Sequence, residues 1–246
     1  LLEFARLVHE AGFPAGVVNI LTGFGATCGA ALTSHPKVAH IAFTGGPESA
    51  RFVVRNSAEN LASTSLELGG KSPFVVFADA DLESAVNAQV AGIFAATGQS
   101  CVAGSRLIIE RSIKDAFLAA LKAKAEAIRI GSPLDMATEV GPLATRRQQD
   151  HVERLVQASI AAGARLVTGG VRPEGPGNYF PPTILDCDGI ASPSLEQEFF
   201  GPVLSVVSFE TEAEAVALAN ATRFGRASGV FTHNLARGHR LRRNIP

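Results

Sequence analysis

Apolar positions along the chain switch between two periods, and the switches mark out its elements. Residues 1–11 place Leu2, Leu7, Val8 and Ala11 on one helical face, closed by Gly12. Val17-Val18-Asn19-Ile20-Leu21 is a short β-rich run, continuous enough to predict a parallel strand buried on both faces. It leads into Gly23-Phe24-Gly25-Ala26-Thr27-Cys28-Gly29 and a further helix-like piece. Val38–Phe43 predicts a second strand, running into Thr44-Gly45-Gly46-Pro47, and Pro47 suits the first turn of a helix over 48–57. Ser63–Leu66 predicts a third strand, ending at Glu67. This alternation is that of a doubly wound α/β sheet. In such sheets, ligands collect at the carboxyl ends of strands, where helix N-termini offer N–H groups to phosphates. The spacing of Gly25 and Gly29 is G-x-G-x-x-x-G rather than G-x-G-x-x-G, so by itself it fits a turn with no ligand equally well. The turn at Thr44, Gly45 and Gly46 is the stronger of the two because it repeats the same arrangement one unit later.

Beyond Lys71 the pattern predicts strands at Phe74–Phe77, Leu107–Glu110, Arg165–Val167, Ile184–Leu185, Val203–Phe209 and Val230–Thr232. It predicts helices over 112–130 and 146–162, and one capped by Asp79 or Asp81 that runs through Thr97. Gly169–Pro182, rich in Gly and Pro, reads as an exposed loop. A boundary at Gly69-Gly70 divides residues 1–69, a partial dinucleotide-binding domain, from residues 70–246, a second α/β domain.

Composition narrows the function classes. The 246 residues are 46% hydrophobic and 18% charged with net charge −1, as in globular proteins, and nothing argues for a nucleic-acid or anionic-membrane partner. No run approaches the ~18 apolar residues of a membrane span. The basic stretch Arg237–Arg243 reads as the solvated face of a helix. Three cysteines without framework spacing imply a reduced, cytoplasmic compartment, and the histidines form no metal-ligand pattern. The chain begins inside a helical pattern and ends without a finished element, which reads as an internal fragment.

One cysteine has surroundings suited to chemistry. In Gly98-Gln99-Ser100-Cys101-Val102-Ala103-Gly104-Ser105-Arg106 small residues let backbone approach the sulfur closely, in a loop between a helix and a strand. Cys187, between Asp186 and Asp188, would have its pKa raised, which is wrong for a nucleophile. Cys28 reads as packing a helix against the sheet. On residues alone, Cys101 fits a buried inert thiol, Glu67 a surface charge, and Phe199-Phe200 ordinary core.

Three stretches, Leu66-Glu67-Leu68-Gly69-Gly70-Lys71, the Cys101 loop and Glu198-Phe199-Phe200-Gly201-Pro202-Val203, together resemble the aldehyde dehydrogenase superfamily. Gly131–Asp135, Val140–Leu143 and Asn220–Gly225 are further similar stretches, so the resemblance runs along essentially the whole chain. It implies oxidation of an aldehyde to a carboxylic acid with NAD or NADP. Cys101 would be the nucleophile and Glu67 the general base. Glu198 would bind the nicotinamide ribose hydroxyls and Phe200 would pack beside the nicotinamide, with Leu68 on the cofactor side. Thr44, Gly45 and Gly46 would lie near the pyrophosphate, with Gly25 and Gly29 in the preceding turn. It further implies a small-molecule aldehyde substrate and a homo-oligomer in the full-length form. Gly46 stands where serine is usual and Ala50 where glycine is usual. The family's oxyanion asparagine would lie before Leu1, so this chain alone is expected to be poorly active. Two other readings remain: a truncated non-catalytic domain serving in binding or assembly, and a thioesterase-like use of Cys101 and Glu67.

Overall fold

In the computed structural model, which describes residues 1–245, the alternating periods resolve into two units, Leu1–Leu68 and the part from Gly69 onward. The first holds α1 (Leu2–Glu10), a π-helical turn (Gly25–Gly29), α2 (Ala30–Thr33), β1 (His40–Gly45), α3 (Pro47–Ser57) and β2 (Ser63–Leu68). Strands β1 and β2 pair in parallel, His40 opposite Ser63 through to Gly45 opposite Leu68. Gly46 is the N-cap of α3 and Pro47 its first residue, and the helix buries Ala50, Val53 and Ser57.

The strand expected at Val17–Leu21 does not form, and turn chemistry explains why. Gly16 has φ +87°, and Val17 N–H donates to the Pro14 carbonyl at 3.2 Å, so the segment closes a turn. Asn19 Nδ2 adds a bond to the Gly16 carbonyl at 2.8 Å. Far from being buried on both faces, Val17 and Leu21 are 63% and 64% exposed.

The second unit holds β3 (Pro73–Val76), α4 (Leu82–Phe94), β4 (Arg106–Glu110), α5 (Lys114–Ala127), α6 (Arg146–Ala161), β5 (Arg165–Thr168), β6 (Thr183–Asp186), α7 (Pro193–Glu196), β7 (Val203–Phe209), α8 (Glu212–Asn220), β8 (Gly229–Phe231) and α9 (Leu235–Asn244). The sheet order is β5-β6-β7-β4-β3-β8, parallel throughout except for the antiparallel β5–β6 pair. Side chains alternate across it with period two. Phe74, Val76, Leu107, Ile109, Leu204 and Val206 pack with Val86, Phe117 and Leu121 on one face. Val75, Ile108, Val207 and Phe209 pack with Val152, Val156, Ala215 and Leu241 on the other. Central strand β4 is therefore apolar at successive residues, as a strand covered on both faces must be.

Of the two candidate caps of α4, Asp81 takes the position: its Oδ1 accepts from Ser84 N–H at 2.8 Å. Two expectations need correction. That helix stops at Phe94, short of Thr97, because Ala96 and Thr97 adopt left-handed φ of 51° and 58° that no α-helix accommodates. The loop over 169–182 is not exposed throughout, since Phe180 is fully buried. Helix α8, absent from the sequence reading, is begun by a capping box between Thr211 and Glu214. Among the described residues no helix is long and apolar enough to cross a membrane.

Candidate active site

The functional candidates fall into two groups, one in each unit. In the first unit the parallel register sets Thr44 opposite Glu67 and Gly45 opposite Leu68, so all four end adjacent strands at their carboxyl ends. Gly45 belongs to the strand itself, and a Cβ there would fall 2.6 Å from the Phe43 ring. Gly46 has open space around it, so the missing serine leaves room rather than filling it. In the turn of Gly25 and Gly29, the Thr27 and Gly29 N–H groups donate to the Phe24 carbonyl at 3.1 and 3.3 Å. Cys28 sits in that turn and is half-buried.

In the second unit the site forms at the amino ends of β3, β4 and β7, the end opposite to the one favoured in doubly wound sheets. Three consecutive left-handed residues, Ala96, Thr97 and Gly98, turn the chain out of α4 toward Cys101. Side chains hold this strained backbone in place: Thr97 Oγ1 donates to the Gly141 carbonyl at 3.0 Å, and Gln99 Oε1 accepts from Ala144 N–H at 2.8 Å. Cys101 then lies within a turn closed by Ala103 N–H on the Ser100 carbonyl at 3.1 Å. Its half-buried sulfur accepts a hydrogen bond from Arg226 Nη2 at 3.4 Å.

Glu198 and Phe200 come to the same place. A small cleft is lined by Gly70, Ser100, Ala103, Ser105, Glu198 and Phe200. The glycines make this approach possible. A Cβ on Gly98 would lie 2.1 Å from the Gly201 carbonyl oxygen, and one on Gly69 2.1 Å from Glu198 Oε2. A Cβ on Gly70 would lie 2.9 Å from the Cys101 carbonyl oxygen. Gly70 N–H donates to Glu198 Oε1 at 3.0 Å. Burial raises the Glu198 pKa, opposed by that bond, by Lys71 and by His151. Of the two phenylalanines, Phe199 is core at 2% exposure, whereas Phe200 is 39% exposed with a left-handed φ of 47°. Gln148 Nε2 fixes both by donating to their carbonyls at 2.6 and 3.0 Å.

Cys187 is buried, and its thiol pKa is pushed up, first by that burial and further by Asp186, against hydrogen bonds with Ser194 and Ser192. The direction matches the sequence expectation, but burial rather than the flanking charges leads it. Arg106 braces the site from below: it donates from Nε to the Lys71 carbonyl at 2.8 Å, and from Nη1 and Nη2 to the Leu218 and Ala219 carbonyls.

Sequence reasoning overlooked two cations. Lys71, the last residue of the Leu66–Lys71 stretch, is 1% exposed, and its Nζ has no hydrogen-bond partner among the described residues. A lysine running directly into an apolar strand was the available signal. Arg226 carried no signal, because its contact with Cys101 is made across 125 positions.

The donor set fits a nicotinamide riboside. A carboxylate, half-buried and held by a backbone N–H, suits paired hydroxyls, and an exposed aromatic ring two residues on suits a flat heterocycle. The Gly69 backbone leaves the space in which that carboxylate lies.

The profile of the aldehyde dehydrogenase family matches residues 1–246. The chain is 64% identical over 246 residues to (Z)-2-((N-methylformamido)methylene)-5-hydroxybutyrolactone dehydrogenase of Acinetobacter baylyi, covering all of this chain and 50% of that protein. It is 45% identical over 243 residues to betaine aldehyde dehydrogenase of Sinorhizobium fredii, covering 98% of this chain and 50% of that one. Among solved structures, PnpE in complex with nicotinamide adenine dinucleotide superposes with a TM-score of 0.96 at 42% identity, over 99% of this chain and 51% of PnpE. Betaine aldehyde dehydrogenase of Staphylococcus aureus in complex with NAD+ gives 0.94 at 35% identity, over 99% and 49%. The chain thus spans about half the length of the curated relatives it matches.

Proposed function

The chain belongs to the aldehyde dehydrogenase family, and from that premise we propose that it carries the nucleophile, base and cofactor contacts of an enzyme oxidising a small aldehyde to a carboxylic acid with NAD or NADP. The observation that carries the reading is that Gly98, Ser100 and Ala103, which flank Cys101, line one cleft together with Glu198 and Phe200.

In this reading Cys101, as thiolate, adds to the aldehyde carbon and gives a hemithioacetal. Nicotinamide, when bound, supplies the hydride acceptor. Glu198 holds the two ribose hydroxyls, and Phe200 bounds the ring's position. Loss of hydride from the carbon leaves a thioester on Cys101. Glu67 takes a proton from water, which attacks the thioester carbon. The acid departs and the sulfur is regenerated. Residues 1–69 act as part of the dinucleotide-binding domain, with Thr44, Gly45 and Gly46 toward the pyrophosphate and Gly25, Gly29 and Leu68 beside them. Residues 70–246 act as part of the catalytic domain. The three free thiols favour a reducing, cytoplasmic setting, and family membership favours a homo-oligomer.

The test is aldehyde-dependent reduction of NAD and of NADP by the intact protein. Cys101→Ala is expected to abolish it. Glu67→Gln is expected to retain one rapid turnover and then stall with acyl group on Cys101, detectable by mass. Unchanged turnover in Cys101→Ala would sink the reading.

A further inference from the structure

Among the described residues of the second unit, Lys71 is the least exposed cation, at 1%, and its ammonium makes no hydrogen bond. Nζ sits 4.7 Å from the centroid of the Phe199 ring, a cation–π contact in a desolvated place. Buried ammonium groups are normally paired, so one without a partner calls for an explanation.

The position supplies one. Lys71 follows Gly69, whose backbone gives the Glu198 carboxylate its space, and Gly70, whose N–H binds it. The ring beneath its ammonium is that of Phe199, between Glu198 and Phe200. Three consecutive residues thus hold Glu198 and Phe199. The other groups acting on the ammonium are Arg106 from β4, which disfavours its charge, and Glu198 and Cys187, which favour it. Those acting on Glu198 are Lys71, His151 from α6 and the Gly70 N–H.

We propose that Lys71 is a positioning residue: its ammonium, seated on the Phe199 ring, keeps the Glu198 carboxylate ionised and aimed at the ribose hydroxyls of the nicotinamide cofactor. The proposal rests on the reading of Glu198 as the ribose ligand. Lys71 touches neither substrate nor cofactor and acts through Glu198.

Such a charge is held against the stability of the fold. Burial first, and Arg106 second, bring the Lys71 pKa from 10.5 down to about 7. Below about pH 7 the folded protein keeps a desolvated charge. Between about 7 and 10.5 the unfolded chain binds the proton that the folded chain has released, so stability rises with pH across that window. Any lysine buried this way would give this pH signature, so NAD affinity is the readout that separates a positioning role from packing.

The experiment measures NAD affinity by titration and unfolding temperature for the intact protein, with Lys71→Met and Lys71→Arg, at pH 6 and pH 10. Lys71→Met is expected to bind NAD about tenfold more weakly at pH 6, equivalent to about 1.4 kcal/mol. It is also expected to unfold at a higher temperature than the parent at pH 6, with the gain nearly gone at pH 10. Lys71→Arg is expected to keep most of the affinity. Equal NAD affinity in Lys71→Met overturns the proposal, and so does weaker affinity accompanied by a lower unfolding temperature at pH 6, the mark of a purely structural lysine. If the parent protein itself binds neither NAD nor NADP, the ribose-ligand reading of Glu198 falls, and Lys71 with it.

Discussion

At the carboxyl end of the six-stranded sheet, Lys114 is 8% exposed and donates from Nζ to Asp186 at 2.7 Å and to Asp188 at 2.6 Å. Arg165 joins Asp186 at 2.7 Å, and Ser208 Oγ joins Asp188 at 2.7 Å. At the amino end of the same sheet, Lys71 is buried more deeply and has no such partner, and the Ser72 and Ser105 hydroxyls at that end are likewise unpartnered among the described residues. Backbone strain follows the same division: Ala96, Thr97 and Phe200 hold left-handed φ at the amino end. Among the described residues, the carboxyl end gives its buried lysine two carboxylates, while the amino end keeps an unpartnered ammonium and strained turns in place. Groups left in that condition are the ones a ligand or a reaction can use, which is why the amino end supports the catalytic reading and the carboxyl end does not.

The largest expected effect breaks the satisfied end. Lys114→Met leaves the buried Asp186 and the half-buried Asp188 beside one another without their shared cation. Removing one partner of a buried network costs about 3–5 kcal/mol. Urea unfolding should register that loss, while the rate of Cys101 alkylation by iodoacetamide in the native protein stays at the parent value. Comparable destabilisation by Lys71→Met would erase the contrast between the ends.

Next in size is the strained end. Gly98→Ala places a Cβ 2.1 Å from the Gly201 carbonyl oxygen on a backbone with φ +68°. A left-handed alanine and the displaced backbone together should cost on the order of 2–4 kcal/mol. Here, unlike at Lys114, Cys101 alkylation should change as well, because the same close approach shapes the cysteine turn. Alkylation at the parent rate would show that the turn does not depend on this contact.

The ends also separate by pH. Burial pushes the Asp188 carboxyl up, but hydrogen bonds from Lys114 and Ser208 outweigh it and hold the pKa below 3.8. A depressed carboxyl adds stability that is present above its ordinary pKa and lost as pH falls through the folded value. Acid below about pH 4 therefore weakens the carboxyl end, whereas the Lys71 contribution changes only between about 7 and 10.5. A Lys114→Met protein should lose the part of the acid sensitivity that Lys114 confers on Asp188 and keep the alkaline window. Identical acid unfolding curves for parent and variant would assign that sensitivity elsewhere.

How much of this was legible follows from what each element needs. Strands β3, β4 and β7 are read directly because both faces are covered, and an apolar run such as Leu107-Ile108-Ile109 has no other use. The run Val17–Leu21 looks the same in sequence, but Pro14 and Gly16 close a turn there that no count of apolar residues reveals. Cys101, Glu198 and Phe200 were legible because their motifs are local. Lys71 was visible yet passed over, since sequence does not say where an ammonium lies or what surrounds it. The capping box at Thr211 and Glu214 was readable by rule and went unread. Arg226 was out of reach, because only the folded chain brings it to the sulfur.

That guanidinium allows the smallest and sharpest test of the amino end. Arg226 is exposed, so its effect on the Cys101 sulfur is screened, unlike that of a buried cation. Exposed pairs of charges are worth about 0.2–1 kcal/mol, or roughly 1.4- to 5-fold in a rate. Iodoacetate carries a negative charge that iodoacetamide lacks, so the ratio of their alkylation rates at Cys101 isolates the electrostatic part from accessibility. The ratio should fall by that factor in Arg226→Leu, hold in Arg226→Lys, and converge among all three proteins at high salt. A ratio that is the same in Arg226→Leu would mean that the 3.4 Å contact orients the sulfur without drawing anions to it. The cationic character of the amino end would then rest on Lys71 and Arg106, both already committed to their buried contacts.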